Sequence, residues 1–312
     1  MKDLGHTDNE VIHVQDVLIV GAGPAGLSAA LYCARAGLPV TALEKALVGG
    51  QMALAEKIEN YPAVIQDGYS LSQAMQRQAE QFGARILQAE IVSCDLSGEV
   101  KRLRSQTQTF EAPCVILATG AAPAMLGLAQ EERFLGRGLS YCATCDGRFF
   151  KGKRVAVVGG GNSAVSEALH LAHQCSAVYL LHRRAELRAE AALQEKLFSS
   201  SVVFRPNCAV RELLGEQQLT GIVLEENGRC VTLDVDGLFV AIGRQPESAP
   251  FLPALAADAH GYLLASEDTQ TALPGVYVAG DVRKKPLRQI VTAVSDGAVA
   301  AQQALAFLRR RQ

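Results

Sequence analysis

Two glycine-rich turns, each between a short apolar run and a helical stretch, constrain the fold of this chain more than any other feature. Both follow the pattern G-x-G-x-x-G/A, which in this context is the turn of a Rossmann unit and holds a dinucleotide pyrophosphate at a helix N-terminus. One such turn is a weak indication, but two in one chain predict two dinucleotide-binding units. Their candidate cofactor-binding residues are Gly21, Gly23, Pro24, Ala25 and Gly26 in the first turn, and Gly159, Gly161, Asn162, Ser163 and Ala164 in the second.

The two units differ at the residue that follows their second predicted strand. Glu44 stands there in the first unit, and an acidic side chain at this position accepts hydrogen bonds from a ribose hydroxyl, which predicts FAD. His182 stands there in the second unit and is followed by Arg183, Arg184 and Arg188. Basic side chains at this position suit a 2′-phosphate, which predicts NADPH. The alternative for the arginines is a solvated helix face, which their register disfavours.

A cysteine pair, Cys142 and Cys145, lies just upstream of the second turn. A C-x-x-C between two nucleotide sites suggests that electrons pass from one cofactor, through another, into a disulfide. The structural alternative is a zinc site, which needs two further ligands at suitable spacing. His170 and His173 lie on a predicted helix, where such histidines are more often surface or packing residues, so we predict no metal. The remaining cysteines of the eight stand in apolar or strand-like contexts, and we assign them no function.

Composition limits the broad class of the protein. The 312 residues are enough for about two domains. The net charge of -2 gives no support to nucleic-acid binding. No apolar run approaches the roughly 20 residues of a membrane span, and the polar residues 1–10 contain no signal core. We therefore expect a cytoplasmic protein that acts without a membrane.

The order of predicted elements repeats at the scale of a domain. After each glycine turn come a helix, a strand that ends in the discriminating residue, alternating β-like segments and a closing strand. A long apolar helix from about 288 to 308 has no counterpart in the second half, so it returns to the first domain. We predict an α/β fold of two Rossmann-like FAD/NAD(P)-binding domains of related architecture, the second inserted into the first. The predicted FAD-binding domain covers 1–120 and 250–312, and the NADPH-binding domain with the C-x-x-C covers 121–249.

In their order and spacing these motifs resemble the low-molecular-weight thioredoxin reductases, over nearly the whole chain from Asp16 to the final helix. Small departures are Ala63, where many members have glycine, and Arg244, where several have histidine. Besides the two turns and His182-Arg183-Arg184 with Arg188, the matching segments are Gly49-Gly50-Gln51, Glu59-Asn60-Tyr61-Pro62, Ala118-Thr119-Gly120, Cys142-Ala143-Thr144-Cys145-Asp146-Gly147, Ala279-Gly280-Asp281 and Arg288-Gln289.

The resemblance implies an activity and a set of roles. Electrons would pass from NADPH through FAD and the Cys142–Cys145 dithiol/disulfide to oxidised thioredoxin. Cys145 would face the flavin, Cys142 would attack the disulfide of thioredoxin, and Asp146 would exchange a proton with the thiols. The alternative for Asp146 is a helix cap, which is compatible with that role. A homodimer is also implied.

Further candidate residues complete the two cofactor sites. Gly280 and Asp281 are expected to meet the ribityl and phosphate region of FAD. The helix that begins near Arg288 and Gln289 is expected to point its positive end at the flavin ring and to stabilise negative charge there. The other added FAD candidates are Gly50, Gln51, Asn60, Ala118, Thr119 and Gly120, and the added NADPH candidates are Ile242 and Gly243.

Three other functions fit parts of the sequence. An NADPH-dependent reductase of another small disulfide protein, such as a glutaredoxin-like or peroxiredoxin-linked carrier, would carry the same motifs and stays open. A flavin dithiol oxidase uses oxygen and has little need of a basic 2′-phosphate site. A non-catalytic FAD-binding redox sensor need not keep both the C-x-x-C and the basic cluster.

Overall fold

The computed structural model describes residues 11–55 and 57–311, so the first ten residues of the predicted first domain lie outside the described residues. The chain forms two compact units. Unit 1 comprises Met1–Ala122 and Gln245–Gln312, and unit 2 is the continuous segment Pro123–Arg244.

The described residues form strands and helices in alternation through much of both units. The strands are β1 (Val11–Val14), β2 (Val17–Val20), β3 (Val40–Glu44), β4 (Arg85–Gln88), β5 (Ser93–Asp95), β6 (Lys101–Arg104), β7 (Thr109–Ala112), β8 (Cys114–Leu117), β9 (Ala121–Pro123), β10 (Leu139–Ser140), β11 (Arg154–Val158), β12 (Ala177–Leu181), β13 (Val203–Arg205), β14 (Cys208–Leu214), β15 (Gly221–Glu226), β16 (Arg229–Leu233), β17 (Gly237–Val240), β18 (Arg244–Pro246) and β19 (Val276–Val278). The α-helices are α1 (Pro24–Arg35), α2 (Gly68–Gln81), α3 (Glu131–Phe134), α4 (Ala143–Asp146), α5 (Asn162–Ala172), α6 (Ala191–Phe198) and α7 (Ile290–Arg309).

The centre of unit 1 is a five-stranded parallel sheet in the order β19-β8-β2-β3-β4. β2 and β8 are buried along their whole length. Strands covered on both faces need no polar positions, which explains why both read as unbroken apolar runs. A second sheet of order β1-β7-β6-β5 completes the unit, and Leu18 of β2 and Phe110 of β7 lie in one shared hydrophobic cluster.

α1 and α7 pack together on the parallel sheet of unit 1, with small residues between them. A Cβ on Gly297 of α7 would overlap the carbonyl oxygen of Ala25 in α1, so the two helix backbones meet closely at this point. By length and composition α7 is apolar enough to cross a membrane, contrary to the prediction that no apolar run is long enough. The core helix of a soluble protein passes the same test, and α7 contributes Ala300 and Ala304 to the core cluster of unit 1.

Unit 2 repeats the plan of unit 1. Its five-stranded parallel sheet has the order β10-β17-β11-β12-β13, and an antiparallel sheet of order β14-β15-β16 adjoins it along the chain. β11, β12 and β17 stand where β2, β3 and β8 stand in unit 1. The outer strand beside β17 precedes the glycine turn in unit 2, whereas the corresponding β19 comes from the end of the chain in unit 1. β9 and β18 pair with each other as a separate two-stranded sheet.

Candidate active site

The glycine turn of unit 1 combines two tightly packed positions with one open position. Gly21 has a φ of 99°, and a Cβ there would overlap the carbonyl oxygen of Ala118. A Cβ on Gly26 would overlap the carbonyl oxygen of Gly21. By contrast, the nearest atom to a Cβ built on Gly23 is the carbonyl oxygen of Gly49, at 4.0 Å. The space above Gly23 is therefore free for a pyrophosphate, at the N-terminus of α1.

Glu44 lies beside this turn, at the end of β3. Its Oε2 accepts a hydrogen bond from the backbone N–H of Ala22 at 2.7 Å, and its Oε1 accepts one from Ala46 at 3.0 Å. These bonds hold the carboxylate at the carboxyl ends of β2 and β3, where Rossmann units bind a ribose. A pocket opens at the same edge and is lined by Val20, Gly21, Leu43, Glu44, Lys45, Ala89, Glu90, Ile91, Thr119, Glu247, Pro250 and Phe251.

Two further segments reach the turn or the pocket of unit 1. The backbone N–H of Gly49 donates to the carbonyl of Ala22 at 2.8 Å, which places the loop 49–51 against the turn. Thr119, after β8, donates its hydroxyl to the carbonyl of Glu247 at 2.6 Å, and both residues line the pocket. The predicted residues Ala118, Thr119, Gly50 and Gln51 thus lie on segments near the turn, with the side chain of Gln51 exposed, and Gly120 follows with a φ of 76°.

The N-terminus of α7 gathers most of the remaining FAD candidates. Gln289 caps the helix through a reciprocal pair of bonds with Thr292, and its side chain accepts a hydrogen bond from Asn60 Nδ2 at 3.0 Å. The Arg288 guanidinium stacks 3.9 Å from the ring centre of Tyr262, and its Nε donates to the carbonyl of Asp281 at 3.2 Å. The predicted Asn60, Asp281, Arg288 and Gln289 are therefore brought together in unit 1.

A buried carboxylate that the sequence analysis missed holds the segment before α7. Asp296, in the middle of that helix, accepts a hydrogen bond from the backbone N–H of Gly280 at 2.9 Å. It also forms ion pairs with Arg283 at 3.0 Å and Lys285 at 2.7 Å, and all three side chains are 12% exposed or less. The signal was a carboxylate within an otherwise apolar helix, which is rare unless the charge is paired.

Asp296→Asn is expected to lower the stability of the protein by about 3 kcal/mol, because it leaves two buried cations without their shared counter-charge. The measurement is the midpoint of denaturant unfolding. Asp268→Asn, which removes an exposed carboxylate hydrogen-bonded to Ser266 and Gln270, is the matched control. Equal midpoints for the two variants would show that the Asp296 network does not stabilise the fold.

The glycine turn of unit 2 has the same division into packed and open positions. Gly159 has a φ of 154°, and a Cβ there would overlap the carbonyl oxygen of Ala241 and come within 2.6 Å of the Ala164 side chain. The third position of this motif, Ala164, therefore packs against Gly159 and has room only for a small side chain. Gly161 has no atom within 4 Å of a would-be Cβ, and Ser163 is exposed at the start of α5. An open phosphate position results here too.

The loop that carries the arginines is tied to this turn at two points. Asn162 Nδ2 donates to Glu190 Oε1 at 2.9 Å, and the backbone N–H of Glu190 donates to Asn162 Oδ1 at 2.8 Å. The backbone N–H of Arg188 donates to the carbonyl of Gly160 at 2.7 Å. The side chain of Asn162 thus positions the loop that carries the arginines. The glycine motif alone did not predict this role.

His182 and the three arginines occupy different surroundings. The His182 ring is buried under Gly160, where a Cβ would overlap the imidazole, and its Nε2 has no hydrogen-bond partner. Burial lowers the pKa of His182, and the charges of Arg188 and Arg184 lower it further. Arg183, Arg184 and Arg188 are exposed and form no ion pair within the described part of the chain. The positive charge available to a ligand therefore comes from the arginines.

The last two NADPH candidates follow β17. Ile242 is 39% exposed, and the carbonyl of Gly243 accepts a hydrogen bond from the backbone N–H of Ala124 at 3.0 Å. Their position at the carboxyl end of a parallel strand is the edge at which α/β sheets bind ligands.

The cysteine pair of unit 2 is a disulfide at the start of the four-residue helix α4. Cys142 and Cys145 are bonded, with their Cα atoms 5.3 Å apart. Cys142 caps the helix, since its carbonyl accepts the backbone N–H groups of Cys145 at 3.2 Å and Asp146 at 3.1 Å. The Thr144 hydroxyl lies 3.3 Å from Cys142 Sγ. Both cysteine residues are partly exposed.

A buried hydroxyl links the disulfide to Asp146. Ser140, at the end of β10 and 2% exposed, donates its hydroxyl to Asp146 Oδ2 at 2.6 Å. The Ser140 Oγ in turn accepts a hydrogen bond from the backbone N–H of Cys142 at 3.0 Å. Ser140 therefore fixes the Asp146 carboxylate relative to the backbone of the first cysteine. Nothing in the motif alone indicated this, although the two residues lie close in sequence.

The zinc alternative is not supported by any cluster in the described residues. Across 11–55 and 57–311, no group of three or more histidine, cysteine, aspartate or glutamate side chains could hold a metal ion. The sulfurs of Cys142 and Cys145 are bonded to each other, whereas zinc takes cysteine as thiolate.

Comparisons with known proteins agree with this geometry. A family model described as pyridine nucleotide-disulphide oxidoreductase matches residues 15–297. The two dinucleotide turns and the disulfide therefore define a nicotinamide-nucleotide disulfide oxidoreductase as the class of protein.

The relatives narrow the class to one family. The chain is 42% identical to the thioredoxin reductase of Peptoclostridium acidaminophilum over 303 residues, which is 94% of this chain and 96% of that one. It is also 42% identical to the thioredoxin reductase of Listeria monocytogenes, over 95% of this chain and 94% of that one. The crystal structure of thioredoxin reductase from Streptococcus pyogenes covers 95% of this chain and 99% of that chain, at 37% identity and a TM-score of 0.90. The chain belongs to the thioredoxin reductase family.

Membership confirms several predictions from the sequence. The predicted fold class, α/β with two Rossmann-like domains, is confirmed. So are the resemblance to thioredoxin reductases, the assignment as an oxidoreductase enzyme, and FAD and NADPH as its cofactors.

Proposed function

We propose that this protein is an NADPH-dependent thioredoxin-disulfide reductase. The observation that carries the proposal is the partly exposed Cys142–Cys145 disulfide, held in the unit whose dinucleotide turn is flanked by three exposed arginines that form no ion pair with the described residues. The predicted residues 1–120 and 250–312 would bind FAD, and 121–249 would bind NADPH. Bound FAD supplies a two-electron carrier between the hydride of NADPH and the disulfide.

The residues of unit 1 fit FAD. The open position above Gly23 admits a pyrophosphate, and Glu44 offers carboxylate oxygens at the ribose position. The pocket at the ends of β2 and β3 would take the adenosine. Asp281 and the N-terminus of α7 would bind the ribityl and flavin portions, since Arg288 and Asp296 fix both segments.

The residues of unit 2 fit NADPH. Gly161 leaves room for its pyrophosphate, as Gly23 does in unit 1. Arg183, Arg184 and Arg188 would bind the 2′-phosphate through charge-assisted hydrogen bonds. The His182 ring lies against Gly160, and burial with the charges of Arg188 and Arg184 lowers its pKa, which disfavours a charged imidazole there. Ile242 and Gly243 border the same edge of the sheet.

The disulfide chemistry balances with the side chains of unit 2. An electron pair and a proton convert the Cys142–Cys145 disulfide into one thiol and one thiolate. The Cys142 thiolate then attacks the disulfide of thioredoxin, and the first thioredoxin sulfur leaves with a proton from Asp146. The Cys145 thiol gives its proton to the Asp146 carboxylate, and the resulting thiolate attacks the Cys142 sulfur of the mixed disulfide. This restores the Cys142–Cys145 bond and releases thioredoxin with one thiol and one thiolate.

Ser140→Ala is expected to lower the turnover number about ten-fold, because Asp146 loses its positioning bond and the Cys142 N–H loses its acceptor. The KM for NADPH should stay unchanged, since Ser140 is no part of the dinucleotide turn. Ser140→Thr, which keeps a hydroxyl, should restore most of the turnover. Equal turnover in Ser140→Ala and wild type would exclude a role for this hydroxyl.

Thioredoxin is the proposed protein partner, and the protein is proposed to act as a cytoplasmic homodimer, without nucleic acid or membrane. With a net charge of -2 the protein does not attract a polyanion such as nucleic acid electrostatically. The position of α7 within the core of unit 1 supports action away from a membrane.

A panel of electron acceptors tests the proposed function. The purified flavoprotein is given NADPH and, in parallel, oxidised thioredoxin, a glutaredoxin-like protein, a peroxiredoxin-linked carrier, or oxygen alone, and NADPH consumption is recorded. Thioredoxin should give the highest kcat/KM. A carrier that exceeds thioredoxin would assign the protein to that carrier, and consumption with oxygen alone would assign it to the dithiol oxidases.

A further inference from the structure

Glu167 is a half-buried acid beside the disulfide, and the proposed chemistry does not use it. It lies on α5, which packs against α4. The backbone N–H of Ala143 hydrogen-bonds its carboxyl group, and Ala143 directly follows Cys142 and is 1% exposed. One peptide group therefore separates the carboxyl of Glu167 from the first cysteine.

The surroundings of Glu167 suit a carboxyl that changes its protonation state. Its Oε2 is buried and has no hydrogen-bond partner. Glu167 also forms no ion pair with another residue in 11–55 or 57–311. A buried carboxylate is normally held by several donors, whereas a neutral carboxylic acid needs fewer. Burial accordingly raises the pKa of Glu167 to about 7.

The charged groups around Glu167 are few. Arg244, at the start of β18, acts on it as a positive charge and with the Ala143 N–H partly opposes the effect of burial. The titratable groups on the adjoining α4 are Cys142, Cys145 and Asp146, and His170 follows one turn later on α5. Reduction of the disulfide is thus the event that adds negative charge on the facing helix.

We propose that Glu167 is a positioning residue that takes up a proton when the Cys142–Cys145 disulfide is reduced and releases it when the disulfide forms again. The electron pair breaks the sulfur–sulfur bond, one sulfur takes a proton, and the other stays a thiolate. The new negative charge favours the neutral form of the neighbouring carboxyl, which binds a second proton from solvent. Neutral Glu167 in turn leaves the thiolate without a like charge beside it. The inference rests on the proposed function only in taking this disulfide as the redox-active one.

The test is the pH dependence of the disulfide equilibrium in the purified flavoprotein. Wild type, Glu167→Gln and the control Glu195→Gln are equilibrated anaerobically with mixtures of reduced and oxidised dithiothreitol between pH 6 and 8.5. Differential alkylation and mass spectrometry of the peptide that contains Cys142 and Cys145 then give the fraction reduced. Glu195 is an exposed carboxylate on α6, so this variant makes the same charge change away from the disulfide. No step of the measurement uses NADPH or thioredoxin.

Towards pH 6 the three proteins should converge, because Glu167 is then mostly protonated in both redox states. Above pH 7 the fraction reduced should fall more steeply in wild type and Glu195→Gln than in Glu167→Gln, by up to about ten-fold in the equilibrium constant per pH unit, as one extra bound proton requires. Parallel pH curves for wild type and Glu167→Gln would overturn the inference and leave the proposed function intact. An enzyme with the predicted curves but no thioredoxin turnover would overturn the proposed function instead.

If Glu167→Gln does not fold, Asp146→Asn provides a second test, since it removes the other carboxyl near the disulfide. The infrared difference spectrum between its dithiol and disulfide forms at pH 7.5 should still contain the carbonyl band of a newly protonated carboxylic acid. A spectrum without that band would contradict proton uptake by Glu167.

Discussion

Cys145→Ser should lower thioredoxin-dependent NADPH consumption at least about 1,000-fold, because the two sulfurs act as a unit. Without Cys145 no internal disulfide forms, and no second thiolate resolves a mixed disulfide on Cys142. Reduction of the flavin by NADPH should persist, since the dinucleotide turns are untouched. Turnover and rapid-mixing flavin absorbance measure the two effects separately.

The matched control for Cys145→Ser is Cys230→Ser, which removes an exposed free cysteine of unit 2 on β16. It should turn over like wild type. Cys145→Ser should in addition accumulate a mixed disulfide between Cys142 and thioredoxin, which a reducing agent cleaves. Appreciable turnover in Cys145→Ser, or the complex forming equally in Cys142→Ser, would contradict the assignment of Cys142 as the attacking sulfur.

Arg183→Ala/Arg184→Ala should raise the KM for NADPH by about 100-fold or more and change the KM for NADH little. Each arginine is exposed and without an ion pair within the described part of the chain, so its full charge is available to a 2′-phosphate. A hydrogen bond between charged groups contributes about 1.5–3 kcal/mol. The loss of two such bonds accounts for the expected rise in the KM for NADPH. Steady-state kinetics with both nucleotides measure the preference.

Arg229→Ala is the control for the arginine pair, because it removes an exposed arginine of β16 in the same unit. Its KM values should match those of wild type. A double variant that loses affinity equally for NADPH and NADH would show that Arg183 and Arg184 act on the shared part of the nucleotide or on the fold.

The fold was predictable because its signals are local. The buried runs of β2 and β11 and the glycine turns that follow them are contiguous in sequence, and each unit repeats the same order of elements. The contrast between Glu44 and the arginines after His182 needed only a register count. Such features depend on neighbouring residues, so a single sequence expresses them.

What the sequence did not reveal depends on packing between distant segments. Asp296 meets Gly280 and Lys285 only because α7 folds back on the segment before it. The sequence places Glu167 on a helix but does not show that α4 packs against that helix and that Glu167 Oε2 is buried. The burial of His182 likewise depends on a contact with Gly160. The His182 ring fits there because glycine has no side chain to exclude it.

The most direct test of the electron path is an anaerobic titration of the flavoprotein with NADPH, with flavin absorbance recorded, followed by oxidised thioredoxin. Wild type should take up about two equivalents of NADPH per flavin, one for the flavin and one for the disulfide, whereas Cys145→Ser should take up about one. Thioredoxin should then restore the oxidised spectrum of wild type rapidly. Equal uptake by the two proteins, or a reduced wild-type flavin that thioredoxin does not reoxidise, would contradict a disulfide placed in series between flavin and thioredoxin.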